Sequence, residues 1–73
     1  MANSVLQKVD RLLSLEARAE NESEIRELVN EIFARTDELY ELTATESDPK
    51  KGRRLLSLCL KKLRALNNNR EST

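Results

Sequence analysis

Seven cations, Lys50, Lys51, Arg53, Arg54, Lys61, Lys62 and Arg64, stand within fifteen consecutive positions that contain no acidic residue. Such side chains neutralise phosphates, and each phosphate neutralised releases condensed counterions. The chemistry this spacing suits is binding of a polyanion. On a helix with Leu56 set at 0° and about 100° per residue, Arg53, Arg64, Ser57, Lys50, Lys61 and Arg54 fall between about 60° and 160°. The leucine stripe runs from about 260° round to 40°. Lys50 to Arg64 then covers about 21 Å of axis, the length of several successive phosphates. The Ser57 hydroxyl and the amides of Asn67, Asn68 and Asn69 can add hydrogen bonds to sugars or phosphates. No aromatic residue interleaves the cations, so stacking on single-stranded bases is not expected. The expected ligand is duplex RNA or DNA, read through its backbone and largely without regard to sequence.

Two other uses of the same face compete with this one. It can be a solvated surface, or it can pair with acidic groups of the same chain, a second copy or another protein. The charge distribution supports such pairing. From Glu16 to Asp48 there are eleven acidic and three basic residues, a net of −8; from Lys50 to Arg70 there are eight basic and no acidic residues, a net of +8. The whole chain, with thirteen of each sign, is neutral. An adaptor or self-assembly module using exposed leucines and opposed charge is therefore the second expectation. The run Lys50-Lys51-Gly52-Arg53-Arg54 also resembles a nuclear import signal. A membrane-surface helix fits less well, because the apolar stripe lacks Trp and Phe and the rest of the chain is acidic.

Catalytic chemistry has little to work with. The chain has no His and no Trp, one Cys and one Gly. There is no P-loop, glycine-rich turn or metal-ligand cluster, and nothing sets two carboxylates across a cleft. The protein is expected to be non-catalytic, with no cofactor, metal or small-molecule substrate. Cys59 lies on the apolar stripe and is expected to be a buried, inert thiol. A lone Cys fits a reducing compartment, hence an intracellular protein, cytoplasmic or nuclear. No apolar run exceeds four residues, too short to cross a bilayer.

The elements that must position the cations are helical. One Gly and one Pro leave little turn chemistry for hairpins, and β-branched residues do not alternate with polar ones. Val5, Leu6, Val9, Leu12 and Leu13 form one stripe, predicting a helix over 3–19, with Leu15 off the stripe. Asn21 and Glu24 suggest a capping box for a second helix over 22–45. There Ile25, Leu28, Ile32, Leu39 and Leu42 occupy heptad a and d positions, and Arg35 falls on the d position between Ile32 and Leu39. Arg35 is expected to pair with a Glu across an interface. Asp48 and Pro49 suit the N-cap and first position of a third helix over 50–67, with 68–73 a frayed tail.

The fold class is thus all-α: a single small domain over 1–73, a helical hairpin plus a basic amphipathic third helix. A core with only Phe33 and Tyr40 as aromatics is marginal for a chain of 73 residues. A homodimeric bundle is expected, with Leu12, Leu13, Ile25, Leu28, Ile32, Phe33, Leu39, Tyr40, Leu56, Leu60 and Leu63 in the core or dimer seam.

Overall fold

The computed structural model describes residues 4–71, with side chains described through Asn68. It is all-helical: α1 is Val5–Ser14, a 3-10 turn follows at Ala19–Asn21, α2 is Glu22–Phe33, α3 is Thr36–Thr43 and α4 is Lys51–Glu71. None of the described helices is long and apolar enough to cross a membrane.

α1 starts on a capping box. The Gln7 backbone N–H donates to Ser4 Oγ (3.3 Å), and the Ser4 N–H donates to Gln7 Oε1 (3.1 Å). The helix stops five residues before the predicted end at 19, because Leu15 takes up extended backbone (φ −82°, ψ 140°). Leaving the helix there lets the off-stripe Leu15, and Ala17 beyond it, turn back against the core. Two side chains from elsewhere hold the exit: Lys62 Nζ donates to the Leu15 carbonyl at 2.7 Å, and Asn21 Nδ2 donates to the Glu16 carbonyl at 2.9 Å. Asn21 is thereby engaged upstream and forms no side-chain cap for α2.

The predicted 22–45 helix is two helices. The chain breaks at Ala34–Arg35, where Arg35 has φ −126° and ψ 36°. An unbroken helix would carry the Arg35 guanidinium into the apolar seam, at a desolvation cost of several kcal/mol, on the order of 2–7 even for an uncharged polar group. The break keeps Arg35 at the edge and delivers Leu39 and Thr43 to the core, both buried. The buried Thr43 hydroxyl donates to the Leu39 carbonyl at 2.7 Å. One consequence is that the heptad frame fails after Leu39, and Leu42 is left 52% exposed.

α4 starts at Lys51, not on a cap at Asp48. Residues 45–48 form their own turn, in which the Asp48 N–H donates to Thr45 Oγ1 (2.9 Å), while the Asp48 carboxylate pairs with Arg54. At the other end α4 continues through the three asparagines to Glu71, past the predicted end at 67 and through part of the predicted frayed tail; residues 72–73 lie outside the described residues. Leu66, fully buried, and an Arg26 Nη2 bond to Asn67 Oδ1 (3.0 Å) dock those late turns on α2.

The core lies within one copy of the chain. Val5, Val9 and Leu12 of α1 meet Ile25, Leu28, Val29 and Ile32 of α2, Leu39 of α3, and Leu56, Cys59 and Leu66 of α4. Leu6, Leu13, Leu55 and Leu63 pack partly buried around it. Of the residues expected in the core or a dimer seam, Phe33, Tyr40 and Leu60 lie outside the core of the single chain, at 37%, 38% and 46% exposure. Phe33 ends α2 where the chain turns, and Leu60 lies at the margin of the α4 stripe, about 40° from Leu56. Tyr40 lies against α4 at Gly52. A Cβ at Gly52 would come within 2.6 Å of Tyr40 Cδ1 and 2.9 Å of Thr43 Oγ1, so the absent side chain is what lets α3 and α4 touch.

Candidate nucleic-acid interface

α4 buries one arc, with Gly52, Leu56, Cys59 and Leu66 inside, and presents the other. Twenty-one residues make a rod of about 31 Å, which holds every cation of the segment except Lys50, in the turn just before it. Lys50, Lys51, Arg53, Arg54, Ser57, Lys61 and Arg64 are all exposed. Lys62 is the exception. It is half-buried on the opposite flank, with its ammonium tied to the end of α1. Lys51 stands apart from the main ridge, at about 220° by helical geometry. With Arg54, Leu55, Ser57, Leu58 and Lys61 it lines an open groove of about 370 Å³.

The acidic charge of residues 16–48 is mostly engaged elsewhere. Lys8 of α1 pairs with Glu31 (3.0 Å), and Arg11 makes a two-pronged bond to Glu24 (2.7 and 3.2 Å). Arg18 holds Glu16 and Glu20, Arg26 holds Glu22, and Arg35 holds Glu38. The Arg11 guanidinium pulls the Glu24 carboxyl below its ordinary range, and Arg35 does the same to Glu38. Among the described residues, only Arg54 of the α4 cations has a carboxylate partner, Asp48. Within one copy of the chain, the described residues thus show no ion pair between the cations of α4 and the carboxylates of α2 or α3.

Cys59 is fully buried, and desolvation pushes its thiol pKa up, which keeps it protonated and unreactive. Tyr40 was not legible as part of this face. It lies ten positions before the first cation, yet the α3–α4 contact at Gly52 sets it in a cleft of about 350 Å³ with Pro49, Lys50 and Arg53. Two further apolar side chains, Leu58 at 43% and Leu60 at 46% exposure, flank the cationic ridge.

Comparison with protein-family models, with curated proteins and with solved structures finds no match to this chain.

Proposed function

We propose that this chain is a non-catalytic helical protein that binds the backbone of duplex nucleic acid, RNA or DNA, through the exposed face of α4. One observation carries the reading: Lys51, Arg53, Lys61 and Arg64 are exposed along α4, Lys50 is exposed in the turn just before it, and among the described residues none of the five has an acidic partner. Cations already paired must give up that partner to bind a phosphate; these need not. Ser57 lies on the same ridge and can donate to a phosphate or sugar oxygen. The mode is sequence-independent, since nothing on the ridge is placed to read base edges. Such binding is expected inside the cell, where nucleic acid and a reduced Cys59 coexist.

The reading includes a homodimer. Phe33, Leu42, Leu58 and Leu60 remain exposed on a chain of 8.4 kDa, and a two-fold partner would cover part of that surface and double the cationic footprint. Sedimentation should give twice the chain mass.

The test is titration of a labelled duplex at two salt concentrations. Affinity should fall steeply with salt, with a log–log slope of about −4 if four to five phosphates are neutralised. A variant with Ala at Lys50, Arg53, Lys61 and Arg64 should lose most of it. Salt-independent affinity, or full affinity in that variant, would remove the proposal.

A second reading is favoured by the groove along Lys51, Leu55, Leu58 and Lys61, which has an apolar floor and basic rims. It suits an acidic amphipathic helix, making the protein an adaptor. Purification without nuclease discriminates: copurified nucleic acid favours the first reading, and a clean protein whose oligomer grows at low salt favours the second.

A further inference from the structure

The fold adds to the cationic ridge something the segment itself lacks, an aromatic face. We infer that Tyr40, Pro49, Lys50 and Arg53 form a seat for one unpaired or terminal nucleobase, so that the protein prefers duplexes with single-stranded ends. The inference rests on the nucleic-acid reading above and specifies which feature of the ligand is recognised.

The geometry begins at Gly52. With no Cβ there, the Tyr40 ring lies directly against the backbone of the first turn of α4, and a Cβ would sit 2.6 Å from Cδ1 and 3.2 Å from Cε1. The ring is thus held by its contact with α4 on one side while 38% of the residue stays exposed. Pro49 continues the apolar lining, and Lys50 and Arg53 line the same cleft of about 350 Å³. Among the described residues neither cation has an ion-pair partner, and the first turn of α4 has no acidic residue. Asp48, next in sequence to Pro49, is already bound by Arg54.

An aromatic ring flanked by cations matches the chemistry of a nucleotide. Every base has a π face that stacks on an aromatic ring whatever its sequence, and the phosphate attached to it meets Lys50 or Arg53. A base inside a blunt duplex is stacked on its neighbours and cannot enter. An overhanging base can. The ridge from Arg53 through Lys61 to Arg64 then tracks the adjoining duplex, and the seat lies at one end of that track.

Tyr40 is the only Tyr of the chain and there is no Trp, so intrinsic emission reports this ring alone. The experiment titrates the full chain with a blunt duplex and with the same duplex carrying a short single-stranded overhang, at matched absorbance. The overhang should quench Tyr40 emission beyond the blunt control and bind about 10-fold more tightly, as one stacked base implies. Tyr40→Ala should bring the two affinities together, and Tyr40→Phe, which keeps the ring, should preserve the preference. Equal affinity and equal emission for the two duplexes would overturn the seat while leaving backbone binding intact. Failure of both to bind would overturn the seat and the proposed function together. If Tyr40→Ala does not fold, the wild-type emission and the Tyr40→Phe affinities decide.

Discussion

The Arg35 guanidinium closes on the Glu38 carboxylate, with Nη2 at 3.0 Å from Oε1 and 2.6 Å from Oε2, and Glu38 Oε2 also accepts the Val5 backbone N–H at 3.3 Å. The helix break at Arg35 thus places a carboxylate on an otherwise unsatisfied donor in the first turn of α1, thirty-three residues away, where negative charge is favoured. Arg35 was expected to pair across an interface; it pairs within the chain, and what it fixes is the docking of α3 on α1.

This arrangement gives stability a pH dependence of definite sign. Arg35 and the Val5 N–H lower the Glu38 pKa, and Arg11 lowers that of Glu24. A carboxyl depressed in the folded state contributes stability above its unfolded pKa of about 4.3, and loses it as pH falls through the folded value. Denaturant midpoints should therefore be level near neutrality and decline below about pH 4. Glu38→Gln should be less stable at pH 7 and show a shallower acid decline. Both groups are partly solvated, so added salt should flatten the difference. An acid limb identical in wild type and Glu38→Gln would show that Glu38 is not a contributor.

Gly52→Ala sets two effects against each other. Ala is the better helix former by about 1 kcal/mol. Its Cβ, though, would meet the Tyr40 ring at 2.6 Å and the buried Thr43 hydroxyl at 2.9 Å, and Thr43 is pinned by its bond to the Leu39 carbonyl. Overpacking of this kind costs about 1–3 kcal/mol. The net expectation is a loss of about 1 kcal/mol and altered Tyr40 emission, read by thermal melting and fluorescence. A more stable variant with unchanged emission would show that α3 and α4 do not touch there.

How much of this was legible from the sequence depended on distance along the chain. Helical class, the buried stripe Val5, Val9, Leu12, and the seam Ile25, Leu28, Ile32 follow from spacing alone, because burial of one helix face is a local pattern. The cationic ridge was legible for the same reason. The helix ends were not. α1 ends where it does because of Leu15 and Lys62, α2 breaks because Arg35 finds Glu38, and α4 runs on because Leu66 and Asn67 dock on α2. The first and last are contacts between residues far apart in the chain, and the Arg35–Glu38 pair, local in itself, is tied through Glu38 to the distant Val5 N–H; propensity encodes none of these. Tyr40 at the ridge was hidden likewise: the sequence offers a lone Gly, and only the packing of α3 shows what that Gly admits.

Adjacent lysines are expected to behave in opposite ways. Lys62 Nζ donates to the Leu15 carbonyl in a half-buried setting, and Lys61 stands exposed on the ridge without a partner. Lys62→Ala should cost about 1.5–3 kcal/mol, the range for a hydrogen bond involving a charged group, and leave duplex affinity nearly unchanged. Lys61→Ala should change stability by less than about 0.5 kcal/mol and lower the salt slope by about 0.9. Urea denaturation and anisotropy titration on the same two proteins read both quantities. Equal stability loss in the two variants would contradict the assignment of Lys62 to the scaffold.

Leu66 and Leu60 provide the corresponding contrast among the leucines of α4. Leu66, on the apolar stripe near the end of the predicted helix, is fully buried, whereas Leu60 on the margin of the same stripe is 46% exposed. Truncating a buried Leu to Ala removes its transfer energy and leaves a cavity, together about 2–5 kcal/mol. A domain of this size has roughly 4–10 kcal/mol in all, so Leu66→Ala should lower the melting temperature by ten degrees or more, roughly, or leave the last turns of α4 unfolded. Leu60→Ala should stay within about 0.5 kcal/mol in the monomer. If Leu60→Ala instead costs as much as Leu66→Ala, and its cost grows with protein concentration, the exposed leucine is covered by a second chain. That outcome would place the dimer seam beside the cationic ridge, because Leu60 and Arg53 are only about 20° apart on the helix.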